Sequence, residues 1–136
     1  MKALRILLVE DEAIIAMLFA DVLDGLGHDV CAIEATEDDA VAAAARCVPD
    51  LIIVDVNLGA GSGVSVVSKI LETRYVPHVF ITGDTSAALT VEAYETGSEL
   101  IHKPVRVSDL ARAIRRAAEA RGPIANRQLR LLQRYP

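Results

Sequence analysis

The chain alternates short, wholly apolar runs with longer segments in which apolar residues recur every three or four positions. The short runs predict strands that are buried on both faces, and the periodic segments predict amphipathic helices. Strand and helix alternate five times with short connections. This alternation is typical of an α/β fold, in which a doubly wound, five-stranded parallel sheet carries five helices distributed over both faces.

The predicted elements follow from local signals. Thr36 is placed to cap the second helix, and Gly25 and Gly27 to end the first. We predict strands over 6–9, 28–33, 51–54, 76–81 and 99–101, and helices over 14–26, 36–46, 64–71, 86–95 and 107–118. In the first helix one wide apolar stripe is expected, formed by Ile14, Ile15, Leu18, Phe19, Val22, Leu23 and Leu26. The glycine-rich segment 59–63 is expected to be a flexible loop.

Composition narrows the class of protein. The 136 residues are 52% hydrophobic and 4% aromatic with no Trp, which suits one domain with an aliphatic core. A net charge of −5 argues against direct nucleic-acid binding. No apolar run approaches the length of a membrane span, and no signal peptide is evident, so we expect a cytoplasmic protein with no membrane insertion. Cys31 and Cys47 lack metal-ligand spacing and are expected to be partly or fully buried thiols.

Polar side chains follow four of the predicted strands. Glu10 and Asp11 follow the first strand, Asp55 ends the third, Thr82 ends the fourth, and Lys103 follows the fifth. The carboxyl ends of parallel strands meet at one edge of the sheet, and ligands bind there. The sequence therefore predicts that three carboxylates, a hydroxyl and an ammonium gather in one site.

These groups suit phosphoryl transfer. Adjacent carboxylates repel one another and favour a divalent cation such as Mg²⁺, which binds a few carboxylates together with waters and a phosphate oxygen. Lys103 and Thr82 can neutralise or hydrogen-bond a phosphoryl group, and Asp55 can accept one covalently. No glycine-rich nucleotide-binding motif accompanies them.

Taken singly, each of these residues also has an ordinary structural explanation. Acidic residues from Glu10 onward suit the positive end of the first helix, and Asp55 suits the entry to a loop. Thr82 before Gly is common at turns, and Lys103 resembles a solvated surface lysine. The histidines share no ligand spacing and are expected to be structural or exposed; they are His28, His78 and His102. Only the occurrence of all these groups together, at the ends of separate strands, favours a role in phosphoryl transfer.

With these motifs together, residues 4–121 resemble the receiver domain of a two-component response regulator. The matching residues are Glu10 and Asp11 in ILLVEDE, Asp55 in LIIVDVNL, Thr82 in VFITGD, and Lys103 in LIHKPV. The resemblance implies the flavodoxin-like strand order 2-1-3-4-5. It implies that Asp55 is the phosphoacceptor, that Thr82 and Lys103 contact the phosphoryl group, and that the Lys103–Pro104 bond is cis.

The resemblance also implies a cofactor and partners. Mg²⁺ would be bound by Glu10, Asp11, Asp55 and the backbone carbonyl of Asn57. The phosphoryl donor would be a sensor histidine kinase or a histidine phosphotransfer protein. Phosphorylation would switch contacts with a downstream protein, or a homodimer, through the fourth helix, fifth strand and fifth helix.

Three positions depart from the family pattern. Gly59 stands where the family often has Pro, and Gly83 follows Thr82 where Ala is common. Leu100 stands three positions before Lys103, where an aromatic residue usually couples phosphorylation to the signalling face. Leu100 cannot couple in that way, so a shift of the fourth helix and its leading loop is the substitute hypothesis.

We expect residues 1–121 to form a receiver domain of the single-domain type, and 122–136 to form a short tail with no output domain. The domain is expected to accept a phosphoryl group and not to act as an enzyme. One alternative is a receiver-like interaction module that is never phosphorylated. Another is a Mg²⁺-dependent phosphatase, although Asn57 occupies the position where such enzymes commonly have a second acid. A flavin or nucleotide binder ranks last, because an acidic crevice repels phosphates unless a metal intervenes.

Overall fold

Seven strands are present in the computed structural model, which describes residues 2–83 and 98–120. Their bounds are β1 Arg5–Val9, β2 Asp29–Glu34, β3 Leu51–Asp55, β4 Asn57–Leu58, β5 Gly61–Ser62, β6 His78–Thr82 and β7 Glu99–His102. Five of them form one parallel sheet in the order β2-β1-β3-β6-β7. Without the small β4–β5 pair, this is the predicted order 2-1-3-4-5, and the fold class is confirmed.

Four helices are present in the described part of the chain. They are α1 Ala13–Gly25, α2 Glu37–Cys47, α3 Gly63–Leu71 and α4 Val107–Glu119. The α4 helix is the one predicted as the fifth, whereas the helix predicted over 86–95 and the tail from 122 lie outside the described residues. The Thr36 hydroxyl accepts a hydrogen bond from the Asp39 N–H and caps α2 as predicted. Within residues 2–83 and 98–120, no helix is both long and apolar enough to span a bilayer.

Two hydrophobic clusters cover the two faces of the sheet, because successive residues of a strand point to opposite sides. In β3, Ile53 packs with α1 and α4 residues such as Leu23 and Ile114. Its neighbour Ile52 packs on the other face with α2 and α3 residues such as Ala43. All five residues of β3 are buried. The continuous apolar run that ends at Asp55 therefore reflects burial on both faces, as predicted.

The apolar stripe predicted for α1 is too wide. Two of its members, Ile14 and Leu18, are 75% and 57% exposed, whereas Leu23 is fully buried. Met17, which was not part of the predicted stripe, is 66% exposed. Packing against the sheet covers only one side of the helix, so the remaining apolar residues face solvent. A stripe wider than the face that packs leaves an exposed apolar surface beside the sheet edge.

The loop predicted over 59–63 is shorter in the structure: residues 59 and 60 form a turn, β5 occupies 61–62, and α3 begins at Gly63. β4 and β5 form a short antiparallel hairpin in which Asn57 pairs with Ser62. The Ser62 hydroxyl accepts a hydrogen bond from Ser65 N–H, which makes Ser62 the N-cap of α3. The Gly63 N–H donates to the Val56 carbonyl at 2.8 Å. Backbone hydrogen bonds thus order this glycine-rich stretch.

The buried His78 gives stability a pH dependence that can be measured. Its Nδ1 lies 2.9 Å from the Val76 carbonyl, and its Nε2 lies 2.5 Å from the Ser98 hydroxyl, an arrangement that suits the neutral imidazole. Burial lowers the pKa of His78 below its ordinary value of 6.5. The unfolded chain therefore binds this proton more readily than the folded chain. The stabilisation is complete above pH 6.5 and is lost as the pH falls towards the folded pKa.

We expect the contribution of His78 to the free energy of unfolding to fall as the pH drops from 6.5 to 5, with a slope of up to about 1.4 kcal/mol per pH unit. Urea denaturation of wild type and His78→Gln across this range measures the slope. Burial also lowers the pKa of His28 and raises the pKa of Glu10, but both groups contribute equally to the two proteins and cancel in the comparison. Parallel pH profiles for the two proteins would show that His78 does not titrate on unfolding.

Candidate functional site

The carboxyl ends of neighbouring strands bring the predicted residues to one edge of the sheet. Val9 is in register with Val54, so Glu10 follows β1 where Asp55 ends β3. Asp55 is in register with Ile81, and Thr82 comes one residue later at the end of β6. Lys103 follows β7 directly, and its N–H donates to the Thr82 carbonyl at 2.8 Å. Four separate strands therefore converge on one crevice.

Asp55 lies at the centre of this edge and is almost fully buried, with 5% of its side chain exposed. Its Oδ2 accepts a hydrogen bond from Lys103 Nζ at 2.7 Å, and its Oδ1 accepts one from the Asn57 N–H at 2.8 Å. Desolvation opposes the charge on Lys103, but Asp55 and, to a lesser degree, Glu10 outweigh it and raise the pKa of the ammonium. The buried carboxylate is thus stabilised by a fixed cation.

Glu10 is the second buried carboxyl group, at 3% exposure. Burial raises its pKa to about 7, and a hydrogen bond and charge repulsion from Asp55 act in the same direction. The Glu12 N–H, 3.0 Å from Glu10 Oε1, and the Lys103 charge act in the opposite direction. Two buried carboxyl groups therefore lie near a single lysine. One ammonium cannot neutralise both carboxylates, so a further cation would stabilise the site.

Asp11, the third predicted carboxylate, is exposed. Its Oδ2 is 3.3 Å from the point where a Cβ atom on Gly59 would lie, so it borders the tip of the β4–β5 hairpin. Gly59 has φ +62°, in the left-handed region. Proline, with φ fixed near −65°, cannot occupy this position. The departure from the family at Gly59 therefore reflects a different backbone path after Asp55.

The remaining predicted features are also placed by the structure. Thr82 is completely buried, and the Lys103–Pro104 peptide bond is cis, as the resemblance implied. Leu100 is half-buried and is in register with Phe80, with which it packs on the face of the sheet covered by α2 and α3. The position that carries an aromatic side chain in the family is thus filled here by an aliphatic one.

The residues at this edge fit a cation that keeps much of its water. Among residues 2–83 and 98–120, no group of three or more acidic, histidine or cysteine side chains is placed to hold a metal ion. Mg²⁺ does not require one, since it is held by one or two carboxylates with waters and substrate phosphate. Glu10 and Asp55 supply buried carboxylates, and Asp11 supplies an exposed one beside the β4–β5 hairpin. The observation that favours such an ion is the burial of two carboxyl groups beside a single lysine.

Two features next to the site were not anticipated from sequence. The Glu37 carboxylate accepts a hydrogen bond from the N–H of Ser62, a hairpin residue 25 positions later in the chain. Gly63 packs so closely on Asp55 that an added Cβ would lie 2.2 Å from the Asp55 carbonyl oxygen. Ser62 before an apolar periodic segment was the only local signal, because it is a typical N-cap residue.

The fold and the site together define a class of protein. Residues 6–115 match the response regulator receiver domain family, and the chain belongs to that family.

Among curated proteins, the phyllosphere-induced regulator PhyR of Methylorubrum extorquens is 38% identical over 117 residues, covering 85% of this chain and 43% of that protein. The transcriptional regulatory protein PdtaR of Mycobacterium tuberculosis is 33% identical over 111 residues, covering 81% and 54% respectively. The chain therefore spans about half the length of these relatives.

Two solved structures are similar to this chain in both fold and sequence. The PhyR receiver domain of Erythrobacter litoralis has a TM-score of 0.79 and 33% identity, and the alignment covers 89% of this chain and 95% of that one. The anti-anti-sigma factor PhyR of Bartonella quintana has a TM-score of 0.72 and 30% identity, with 88% of this chain and 48% of that chain aligned.

Proposed function

We propose that Asp55 accepts a phosphoryl group from a phosphohistidine donor, and that this chain is a phosphorylation-dependent signalling domain. The observation that carries the proposal is the buried Asp55 carboxylate, held 2.7 Å from Lys103 Nζ beside a second buried acid, Glu10. A structural salt bridge alone gains nothing from the additional buried carboxyl group, whereas a site for a cation and a phosphoryl group uses all three residues.

The transfer step needs little covalent chemistry from the protein. A carboxylate oxygen of Asp55 attacks the phosphorus, the P–N bond of the donor breaks, and the imidazole leaves with the bonding electron pair. The Lys103 ammonium moves from the carboxylate to a phosphoryl oxygen, and the Thr82 hydroxyl donates a hydrogen bond to another. Glu10, Asp11, Asp55 and the Asn57 carbonyl would hold Mg²⁺, which when bound neutralises charge on the phosphoryl oxygens.

We further propose that the donor docks on the exposed face of α1. A groove of about 440 Å³ runs between α1 and the segment after β7, and its walls include Leu18, Phe19 and Lys103. The same lysine contacts Asp55, so an apolar helix seated in this groove brings its histidine towards the acceptor. The exposed Leu18 and Ile14 provide the apolar contact surface.

Leu18→Glu is expected to lower the rate of phosphoryl transfer from a phosphorylated histidine phosphotransfer protein by about tenfold, the effect of losing one apolar anchor. Labelling by acetyl phosphate, which needs no docking surface, should be unchanged. Val48→Glu is the matched control, because Val48 is 56% exposed and ends α2 at the opposite edge of the sheet. Equal transfer to wild type and Leu18→Glu would remove α1 as the docking surface.

We propose that output proceeds through protein contacts. The description of the Bartonella quintana relative as an anti-anti-sigma factor supports a protein partner. The face expected to signal includes β7 and α4, together with a predicted helix over 86–95 that lies outside the described residues. With Leu100 in place of an aromatic residue, the switch is proposed to be a movement of the segment that follows Thr82.

Binding of beryllium fluoride, which mimics a phosphoryl group on Asp55, tests this function. With Mg²⁺ present, we expect the backbone amide NMR signals of Asn57 and Thr82 to shift in wild type and to remain in place in Asp55→Asn. A receiver-like module that is never phosphorylated predicts no shift in either protein. A phosphatase predicts steady turnover of a phosphomonoester such as p-nitrophenyl phosphate, which we do not expect, because Asn57 cannot protonate a leaving group.

A further inference from the structure

Glu37 links α2 to the hairpin that follows the acceptor. It is the first residue of α2, and its side chain is 22% exposed. Its Oε2 accepts the Ser62 N–H at 2.8 Å, and its Oε1 accepts a hydrogen bond from Lys69 Nζ at 3.2 Å. One carboxylate therefore connects the start of α2, the strand β5 and, through Lys69, the last turn of α3.

The hairpin is shaped to receive this carboxylate. A Cβ atom on Gly61 would lie 2.6 Å from Glu37 Oε2 and 2.9 Å from its Cγ, so only glycine permits this approach. Three glycines within five residues would otherwise give the segment high conformational entropy. An anchor at Ser62 restricts the glycine-rich segment from outside the hairpin.

The hairpin passes this restriction on to the acceptor site. Ser62 is the register partner of Asn57, whose N–H donates to Asp55 Oδ1 and whose carbonyl is the proposed fourth metal ligand. Gly63 lies against the Asp55 carbonyl and donates its N–H to Val56. Glu37 is therefore linked to the Asn57 carbonyl by two contacts. Glu37 binds the Ser62 N–H, and Ser62 pairs with Asn57 in the hairpin.

We propose that Glu37 is a positioning residue, which fixes the β4–β5 hairpin so that the Asn57 carbonyl is held in place for a divalent cation at Asp55. This inference rests on the proposed function, because it concerns the affinity of the same site. Hydrogen bonds from Ser65 and Ser62, together with Lys69, lower the pKa of Glu37 to about 2, so the anchor is ionised throughout the neutral range.

Two measurements on Glu37→Ala test the proposal, and both avoid phosphorylation. Removal of groups that orient metal ligands weakens binding by about 10- to 100-fold, and we expect a loss of about tenfold in Mg²⁺ affinity by calorimetry. In the metal-free protein, hydrogen exchange at the Ser62 and Gly63 amides should accelerate while exchange at Leu7, in the centre of the sheet, does not change. Asp38→Ala is the matched control, since it removes an exposed acid from the same helical turn.

Glu37→Gln tests whether the hydrogen bond to Ser62 or the negative charge of Glu37 is required. Glutamine retains an acceptor for the Ser62 N–H and should keep Mg²⁺ affinity closer to wild type than Glu37→Ala does, so it also serves if the alanine variant fails to fold. Wild-type Mg²⁺ affinity in Glu37→Ala would overturn the inference, and so would wild-type affinity in Glu37→Gln accompanied by lost Ser62 protection. Failure of wild type itself to bind Mg²⁺ would instead overturn the proposed function.

Discussion

Lys103→Met is expected to slow phosphorylation of Asp55 by about 100-fold, which is the typical loss when one donor to a developing oxyanion is removed. The methionine side chain has similar length but leaves Asp55 Oδ2 without the ammonium that lies 2.7 Å away in wild type. It also leaves the phosphoryl oxygens without a fixed cation during transfer. The rate of formation of the phosphorylated protein with acetyl phosphate and Mg²⁺, followed by intact mass, measures the effect.

Two controls separate loss of chemistry from loss of the metal. Lys2→Met changes the same residue types at an exposed position and should leave the rate unchanged. Mg²⁺ affinity should increase in Lys103→Met, because a competing positive charge has left the acidic pocket. A phosphorylation rate equal to wild type in Lys103→Met would contradict the role assigned to this lysine.

Gly63→Ala is expected to destabilise the fold by about 3 kcal/mol, at the upper end of the usual cost of overpacking. Helix propensity alone predicts the opposite sign, since alanine is favoured over glycine within a helix by about 1 kcal/mol. The steric effect wins because the new methyl group would lie 2.2 Å from the Asp55 carbonyl oxygen and 2.8 Å from Val54 Cγ2. The Asp55 backbone and the Val54 side chain must move to accept it.

Urea denaturation of Gly63→Ala and Gly25→Ala gives a matched comparison. Gly25 ends α1, and a Cβ there would meet no atom within 4 Å, so alanine should be neutral or slightly stabilising at that site. The displaced Asp55 backbone should also weaken Mg²⁺ binding in Gly63→Ala. Equal stability of Gly63→Ala and wild type would show that the close packing of α3 on the acceptor strand is not required.

The sheet and the residues at its edge could be predicted because the signals are local. An apolar run that ends in an acid identifies β3 and Asp55, and the same pattern identifies β1 and Glu10. Parallel connections then place these strand ends together without any knowledge of side-chain contacts. The contact between Asp55 and Lys103, 48 positions apart, follows from this topology.

The features that were missed depend on contacts between distant segments. Nothing near Glu37 in the sequence indicates Ser62 as its partner, and the proposed role of Glu37 in positioning the hairpin depends on that contact. The need for glycine at position 63 arises from the approach of the Asp55 backbone rather than from its own φ angle. The exposure of Leu18 depends on how much of α1 the sheet covers, which periodicity does not reveal.

The most direct test of the central claim is incubation with acetyl phosphate and Mg²⁺, followed by intact mass and by peptide mapping of the modified residue. We predict one added phosphoryl group, located on Asp55, in wild type and none in Asp55→Asn. Removal of Mg²⁺ by a chelator should prevent the modification of wild type. An Asp55→Asn protein labelled to the same extent as wild type would contradict the assignment of Asp55 as the phosphoacceptor.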